Sequence, residues 1–289
     1  MKRVSRHLLK ILMSNFKLRG RARIVKYFAP LLISKEDYFV NSMIGDIPLN
    51  LDTTNIQEQF MYYGILGDDV IRFFKKIVTK GDVVIDVGAN VGYMSAHLAN
   101  LVGKGGEVHS FEPVPYLFKR LQNLAETSSR SGYTIKANSF ALGDKPGKVE
   151  IMVNGKENIG WNTIVPGTMH DSVVSEKYMI EMETFDNYIK KIGMPPSKVS
   201  FIKIDVEGAE PLVLLGMKEF FEAGGKPAII CEINPHAAPH IGVKMEDIFS
   251  FLCNYGYKVY LLGKKGKISP IEWQNLKKGE DAVFINSRC

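Results

Sequence analysis

The sequence is poor in cysteine, and its cysteines form no pattern that would bind a metal or build a disulfide framework. Cys231, Cys253 and Cys289 are the three among 289 residues, and their spacings match neither kind of site. A chain of this size without a disulfide framework is typical of a reducing compartment, so we expect a cytoplasmic location. Cys231 lies in an apolar run and is expected to be a small buried side chain.

Long apolar runs are also missing. No window approaches the roughly 20 apolar residues that a membrane-spanning helix needs. No secretory signal is evident, because the short stretch 8–13 is followed by more basic residues and by no clear small-residue cleavage site. With 45% hydrophobic residues, the chain is long enough for one large α/β domain with its own core.

The N-terminus lacks acidic residues. The first is Glu36, and the apolar residues Leu8, Leu9, Ile11, Leu12 and Phe16 lie among the basic residues before it, which include Lys2, Arg3, Arg6, Lys10, Lys17, Arg19, Arg21, Arg23 and Lys26. The pattern suits a basic amphipathic helix in peripheral contact with a membrane. It also suits a helix packed on the rest of the protein, and the narrow apolar stripe favours this second interpretation. We expect a basic extension over 1–42 and one domain over 43–289.

The most informative segment that is present reads Val83-Val84-Ile85-Asp86-Val87-Gly88-Ala89-Asn90-Val91-Gly92. Its β-branched run predicts a buried strand, and residues 93–102 predict a helix that ends at Gly103. A strand, a tight turn and a helix form the first half of a nucleotide-binding βαβ unit. Gly88 and Gly92 allow a ligand to approach the backbone, and Asn90 between them tolerates a positive φ.

The next predicted strand, 106–111, leads into Glu112. This carboxylate lies twenty positions after Gly92, where ribose hydroxyls of an adenosine ligand are bound in such units. A dinucleotide site would have a third glycine where Tyr93 stands, and Asp86 would lie near its pyrophosphate. A ligand with an ammonium group and a sulfonium suits Asp86 better. The charge pattern therefore favours S-adenosylmethionine.

Three motifs in this order resemble the FkbM family of S-adenosylmethionine-dependent methyltransferases. They are Asp86-Val87-Gly88-Ala89-Asn90-Val91-Gly92, Phe111-Glu112-Pro113-Val114-Pro115 and Lys203-Ile204-Asp205-Val206-Glu207-Gly208-Ala209-Glu210. The resemblance covers about residues 45–286. It implies a Rossmann-like α/β fold of class I methyltransferases, with a mostly parallel seven-stranded sheet and helices on both faces.

The resemblance also implies a function and a set of cofactor contacts. The expected reaction is methylation of a hydroxyl on a small molecule, a sugar or glycan, or a natural product. The segment 138–144 would pass the adenine ring, with Ser139 and Ala141 in contact with the cofactor. The full expected cofactor set is Asp86, Gly88, Asn90, Gly92, Glu112, Pro113, Ser139, Ala141 and Asp205.

Acidic residues follow several predicted strands. Asp86, Glu112, Asp205 and Glu232 all lie at strand ends, and unpaired buried carboxylates are costly. Because ligands of parallel sheets bind outside the carboxyl ends of the strands, these residues predict one shared site. Strands are expected at 83–87, 106–111, 133–137, 148–153, 201–204, 228–233, 258–262 and 282–285, and helices at 55–63, 68–78, 93–102, 116–126, 211–217 and 245–255.

An oxygen acceptor must lose a proton, so a base is expected near it. Asp205, Glu207 and Glu232 are the candidate catalytic residues. For Glu207, capping of the following helix is an equally good interpretation, and Glu210 is assigned to that role. A magnesium ion held by the three candidates is a minority alternative, and no metal ligand is assigned.

Other side chains are ambiguous. Trp161 lies in the Gly- and Asn-rich loop 158–163, where it suits stacking on a sugar-like acceptor or packing at a core edge. His236 and His240, beside Pro235 and Pro239, are expected at the surface. His97 and His109 are expected to pack on a helix face and a strand.

Two other functions remain open from the sequence. The basic N-terminus suits an RNA methyltransferase, although the sequence has no RNA-binding module or aromatic–basic platform, which argues against a nucleic-acid partner. The third candidate is a non-catalytic adenosine-ligand sensor or a membrane-docked interaction protein.

Overall fold

The computed structural model describes residues 2–15, 20–32, 38–154, 160–234 and 236–286. The helices are α1 Lys2–Asn15, α2 Arg21–Phe28, α3 Ile56–Tyr62, α4 Asp68–Ile77, α5 Tyr93–Val102, α6 Pro115–Arg130, α7 Phe185–Lys191, α8 Glu210–Leu215, α9 Lys218–Glu222 and α10 Met245–Asn254. The strands are β1 Phe39–Ile44, β2 Ile47–Asp52, β3 Val83–Val87, β4 Glu107–Phe111, β5 Thr134–Asn138, β6 Ala141–Leu142, β7 Gly147–Asn154, β8 Asn162–Thr163, β9 Val174–Glu183, β10 Val199–Ile204, β11 Ala228–Ile233, β12 Tyr257–Gly263, β13 Lys267–Pro270 and β14 Glu280–Asn286.

A mostly parallel sheet organises the domain. Its order is β13-β12-β14-β11-β10-β3-β4-β5. The five strands from β11 to β5 pair in parallel, and β14, β12 and β13 continue the sheet in antiparallel pairs. The expected fold class is confirmed. The sheet has one strand more than expected, because the short edge strand β13 pairs with β12.

The central strands are largely apolar because both faces of the sheet are covered. Val84 and Phe201 point into one core cluster, with side chains from α4, α5 and α6. Their chain neighbours Ile85 and Ile202 point into a second cluster on the opposite face, with side chains from α8, α9 and α10. Alternation along each strand thus fills two cores with one continuous apolar run.

A smaller sheet is inserted between β5 and α7. Its order is β6-β9-β7-β8, in which β7 pairs with both β9 and β8 in antiparallel fashion. The sequence predicted β7 but not the full length of β9, whose exposed residues follow no clear apolar alternation. This sheet brings β8 and the residues before it to the main sheet.

The N-terminal helices pack on the domain. Met13 of α1 and Val25 of α2 are buried in the first core cluster. Arg21 forms a 2.9 Å ion pair with Asp68 at the start of α4, and Lys10 donates a hydrogen bond to Ser42. These contacts are those of a packed helix, as the narrow apolar stripe favours.

Within the described ranges, no helix is long and apolar enough to cross a membrane. Phe16, Lys17, Arg19, Glu36, Asn158, Ile159, Pro235 and Cys289, which entered the sequence analysis, lie outside the described residues.

Candidate functional site

A cavity of about 380 Å³ opens where the carboxyl ends of the central strands meet. From β3 the chain winds to β4 and β5 on one side, while β10 and β11 lie on the other. A ligand crevice forms at such a switch point in open α/β sheets. The volume lies within the range of small-molecule sites, roughly 300–1,000 Å³.

The turn after β3 forms the floor of the cavity. Gly88 has a φ of 78° and Asn90 a φ of 51°, so the expected positive φ at Asn90 is confirmed. A side chain at position 88 would overlap the backbone carbonyl of Asp205. Glycine is therefore required for β3 and the segment after β10 to approach each other here. Gly88 and Asn90 both line the cavity.

Glu112 closes one side of the cavity and is almost fully buried. Its Oε2 accepts a 2.9 Å hydrogen bond from the amide of Asn90, and its Oε1 accepts one of 2.9 Å from the amide of Val114. Each carboxylate oxygen has a second lone pair for a ligand hydroxyl. Burial raises the pKa of Glu112 to about 7, although the two amide hydrogen bonds oppose the shift.

Lys203 lies between two acidic residues in the wall of the cavity. Its Nζ is 3.2 Å from Asp86 Oδ1 and 3.3 Å from Asp205 Oδ2, and it donates a 3.1 Å hydrogen bond to the carbonyl of Gly88. Burial lowers the pKa of Lys203, but the Asp205 and Asp86 charges outweigh that effect and raise it overall. The lysine thus stays charged and compensates the fully buried Asp86, which also accepts a hydrogen bond from Ser95.

Four carboxyl groups line the cavity on the far side of β3: Asp205, Glu207, Glu232 and Asp281. Glu232 on β11 and Asp281 on β14 are direct partners across an antiparallel pair, so their Cβ atoms lie about 5 Å apart. Three strand spacings, about 14 Å, separate β11 from β4 and Glu112. The cavity therefore has one acid beside β3 and a group of acids at the opposite end, which we call the acidic end.

Glu207 adopts a conformation that non-glycine residues rarely take. Its φ is 55°, in the left-handed region that costs a side-chain-bearing residue about 1 kcal/mol or more. Burial, and to a smaller extent the charges of Asp205 and Glu232, raise the pKa of Glu207 to about 9. In the free protein Glu207 is therefore protonated at neutral pH.

Glu210 holds the turn that carries Glu207. Its Oε1 accepts hydrogen bonds from the amides of Val206 (3.0 Å) and Gly208 (3.1 Å), and it is the first residue of α8. The sequence places Glu210 correctly at the start of the helix, but its carboxylate bonds amides of the preceding turn, so it holds this turn and does not have the expected role of capping the helix. Among the hydrogen bonds of the described residues, none joins the Glu207 carboxyl to an amide of this turn or helix. Glu207 lines the cavity instead.

Glu232 and Asp281 titrate near neutral pH. Burial first, and then the charges of Asp205 and Asp281, raise the pKa of Glu232 to about 7. Burial first, and then the charge of Asp205, raise the pKa of Asp281 to about 6. A pair of carboxyls in this range can exchange a proton with an acceptor at physiological pH.

Apolar and aromatic side chains cover the rest of the cavity. Phe140 and Leu142 line the side near Glu112, and the Phe140 ring packs against Phe111 at 5.5 Å between centroids. Trp161, half exposed, lines the opening. α3 contributes Gln57 and Met61.

The structure brings most of the predicted site residues to one cavity. Those that line it are Gly88, Asn90, Glu112, Pro113, Ala141, Asp205, Glu207 and Glu232. Asp86 is not among the lining residues and lies behind Lys203, which lines the cavity. Gly92 is the N-cap of α5, where a side chain would meet Leu121 and Leu124. Ser139 is exposed and is not among the lining residues.

Sequence reasoning missed Asp281 and gave no role to Lys203 or Phe140. Asp281 begins an antiparallel strand, and such a strand begins at the edge of the sheet where its parallel neighbours end. The two acidic residues Glu280 and Asp281 directly before the apolar run 282–285 were therefore the signal in the sequence that could have pointed to Asp281. Lys203 is a charged residue inside an apolar strand, and such a residue needs a charged partner.

The histidines take the places expected of them. His236 and His240 are exposed, while His109 is fully buried and shares a 2.6 Å hydrogen bond with the hydroxyl of Tyr188. His97 lies on α5 with its ring against Tyr93. In the described part of the chain, no group of three or more His, Cys, Asp or Glu side chains is arranged to hold a metal ion.

The part of the chain that matches known proteins includes most of the residues of this site. A family model described as the methyltransferase FkbM domain matches residues 86–259. Hexuronic acid methyltransferase AglP of Haloferax volcanii is 29% identical over 204 residues, which are 68% of this chain and 73% of AglP. The 31-O-demethyl-FK506 methyltransferase FkbM of Streptomyces tacrolimicus is 35% identical over 91 residues, 32% of this chain and 34% of that protein.

A solved structure with the same kind of match is the methyltransferase FkbM from Methylobacillus flagellatus KT. It is 16% identical with a TM-score of 0.45, and the match covers 79% of this chain and 54% of that one. The chain spans between 11% and 73% of the length of the curated relatives that it matches.

Proposed function

The chain belongs to the methyltransferase FkbM domain family, as the three motifs predicted, and from that premise we propose that it methylates an oxygen of a small molecule or glycan. S-adenosylmethionine is the methyl donor of this family's domain. The observation that carries the proposal is the cavity itself, with Glu112 at one end and the acidic end three strands away.

The residues near β3 and β4 fit the donor. Gly88 and Asn90 form the cavity floor, Glu112 has free lone pairs for ribose hydroxyls, and Phe140 and Leu142 suit a flat base. When bound, S-adenosylmethionine supplies an electrophilic methyl group. The residues of the chain hold it, exclude water and receive the acceptor's proton.

The acidic end suits an acceptor hydroxyl. Asp205, Glu207 and Glu232 are our proposed catalytic residues, and Asp281 joins them through its pairing with Glu232. Because the pKa of Glu232 is about 7 and that of Asp281 about 6, this pair is partly ionised at neutral pH and can take a proton. Glu207, protonated there, donates a hydrogen bond to an acceptor oxygen until a cationic ligand ionises it.

The relatives' names support an oxygen acceptor on a sugar or a natural product. One acts on hexuronic acid and the other bears a name for O-methylation of a natural product. Trp161 at the opening offers an aromatic face on which a sugar ring stacks.

The test is mass spectrometry of cell extract incubated with the protein and methyl-labelled S-adenosylmethionine. We expect a labelled product with wild-type protein. Glu232→Gln should bind the donor normally and form the product about 10²–10⁴-fold more slowly, the usual contribution of a general base. Glu126→Gln, an exposed site on α6, is the matched control and should act as wild type. Donor binding without any labelled product in a broad set of extracts would contradict the proposal.

A further inference from the structure

Exposed apolar side chains are concentrated in the N-terminal part of the protein. Among the described residues, nine of the sixteen large apolar side chains that are exposed lie between positions 8 and 43. Single exposed apolar residues are ordinary, but a contiguous group of them marks an interaction surface.

α1 is apolar on two sides. Met13 is buried and Leu9 packs against the first core cluster. Leu8 and Leu12, one turn apart, are about half exposed. Because residues four apart lie on the same face of a helix, these leucines form an outward apolar face that the fold of the described residues does not cover.

α2 and the short 3-10 helix Ala29–Leu32 repeat this arrangement. Val25 and Ala29 are buried, whereas Tyr27 is 70% exposed, Phe28 is also exposed and Leu31 is 66% exposed. Arg23 and Lys26 are exposed on the same helix.

The charge of this part of the chain has one sign. Residues 1–35 contain ten lysines and arginines and no acidic residue, out of 37 basic and 31 acidic residues in the chain. The other 254 residues therefore carry 27 basic and 31 acidic groups. Arg21 and Lys10 bind the domain through Asp68 and Ser42, so the N-terminal helices are held in place with their outer faces exposed.

We propose that this N-terminal surface, formed by Leu8, Leu12, Arg23, Lys26, Tyr27, Phe28 and Leu31, docks on an anionic lipid membrane. Leucine and phenylalanine side chains insert at the boundary between headgroups and acyl chains, and each cation near an anionic leaflet adds to the attraction. A second copy of the chain would bring like charges together. RNA would use the cations but would leave the leucines exposed.

The helix α2 connects this surface to the cavity wall. α2 contacts α3, and α3 contributes Gln57 and Met61 to the cavity wall. The proposal goes beyond the methyl transfer proposed above and does not depend on it, because membrane binding is measured without donor or acceptor.

The test is co-sedimentation of the full-length protein with vesicles of phosphatidylserine in phosphatidylcholine, and with pure phosphatidylcholine vesicles. We expect binding to the anionic vesicles at low salt and release at high salt, because salt screens the attraction. Equal binding to both kinds of vesicle, or binding to neither, would overturn the proposal.

Two paired variants separate the contributions. Arg23→Gln with Lys26→Gln should weaken binding about thirtyfold, and Leu8→Gln with Leu12→Gln should weaken it at least about tenfold. Matched controls are Lys145→Gln and Met179→Gln, the latter 65% exposed outside the surface, and both should bind as wild type. Thermal melting shows that each variant is folded. Wild-type vesicle binding by both pairs would overturn the proposal. A leucine pair that binds vesicles as wild type does, but has lost self-association or RNA binding that wild type shows, would also overturn it.

Discussion

Among single residues, Glu207 combines a costly backbone conformation with a buried carboxyl group that must take up a proton when the chain folds at neutral pH. Its φ of 55° and the rise of its pKa to about 9, caused first by burial, both destabilise the folded protein at neutral pH. Such strain is typical of sites where function sets the geometry. Glu210 stabilises the turn that imposes it.

The pKa of Glu207 gives the stability of the protein a pH dependence. The folded chain binds a proton at Glu207 that the unfolded chain releases near its ordinary pKa of 4.5. This contribution to stability is present below about pH 4.5 and is lost as the pH rises through about 9. Glu207→Gln, neutral at every pH, should match wild type near the lower value and be more stable near the upper one, by on the order of a few kcal/mol.

Denaturant unfolding across this pH range checks the prediction. The exposed control Glu126→Gln should track wild type at every pH. A constant difference between Glu207→Gln and wild type would show that the carboxyl is not held protonated by the fold.

The acidic end also predicts how donor affinity depends on pH. S-adenosylmethionine carries one positive charge more than S-adenosylhomocysteine, and a cation near carboxyl groups favours their ionised form. The ratio of the two association constants should therefore rise about tenfold between about pH 6 and about pH 9, since each unit of pKa lowered by the cation is a factor of ten. Calorimetry with both ligands measures it.

Asp281→Asn removes one of these carboxyls without touching Glu112. In that variant the rise of the ratio with pH should be smaller, while the affinity for S-adenosylhomocysteine stays near that of wild type. An unchanged rise would remove Asp281 from the site that faces the donor.

At the scale of elements, one buried ion pair holds α3 against α6 and β2. Arg120 contacts both carboxylate oxygens of Glu58, at 2.7 and 2.6 Å, and its Nη2 donates to the carbonyl of Asn50. Glu58 also accepts a hydrogen bond from the amide of Asp52. α3 carries Gln57 and Met61 in the cavity wall, so this pair fixes one side of the site.

Arg120→Ala should lower the free energy of unfolding by about 3 kcal/mol, because it leaves the fully buried carboxylate of Glu58 without its cation. Lys148→Ala breaks an ion pair with Glu181 in which both side chains are about two-thirds exposed, and should cost less than about 1 kcal/mol. Denaturant titration compares the two. Equal small losses would mean that water already solvates Glu58.

At the scale of the whole molecule, local patterns predicted most of the fold. The βαβ start was visible because β-branched runs, a glycine turn and a helical stop follow one another over 83–103, and the structure has β3 and α5 there. The edge strand β13 and the full length of the strand β9 could not be predicted, because their exposed residues lack the alternation that marks a half-buried strand.

The sequence could predict those site residues that lie at the carboxyl ends of parallel strands. Parallel strands end at one edge, so Glu112, Asp205 and Glu232 were found from their positions alone. The places of Asp86 and Asp281 depended on long-range pairing: Lys203 lies opposite Asp86 on the neighbouring strand, and β14 runs antiparallel beside β11. Neither of these two strand pairings can be predicted from the residues next to it in the sequence.

Calorimetric titration of S-adenosylhomocysteine into wild type, Glu112→Gln and Glu112→Ala tests whether this cavity binds the methyl donor. We expect saturable binding of one ligand per chain to wild type. We expect affinity about tenfold or more lower in both variants, because a hydrogen bond to a charged group is worth about 1.5–3 kcal/mol, with Glu126→Gln as control. No binding to the wild-type chain, or an affinity equal to that of wild type in folded Glu112→Gln and Glu112→Ala, would contradict the assignment of this cavity to the methyl donor.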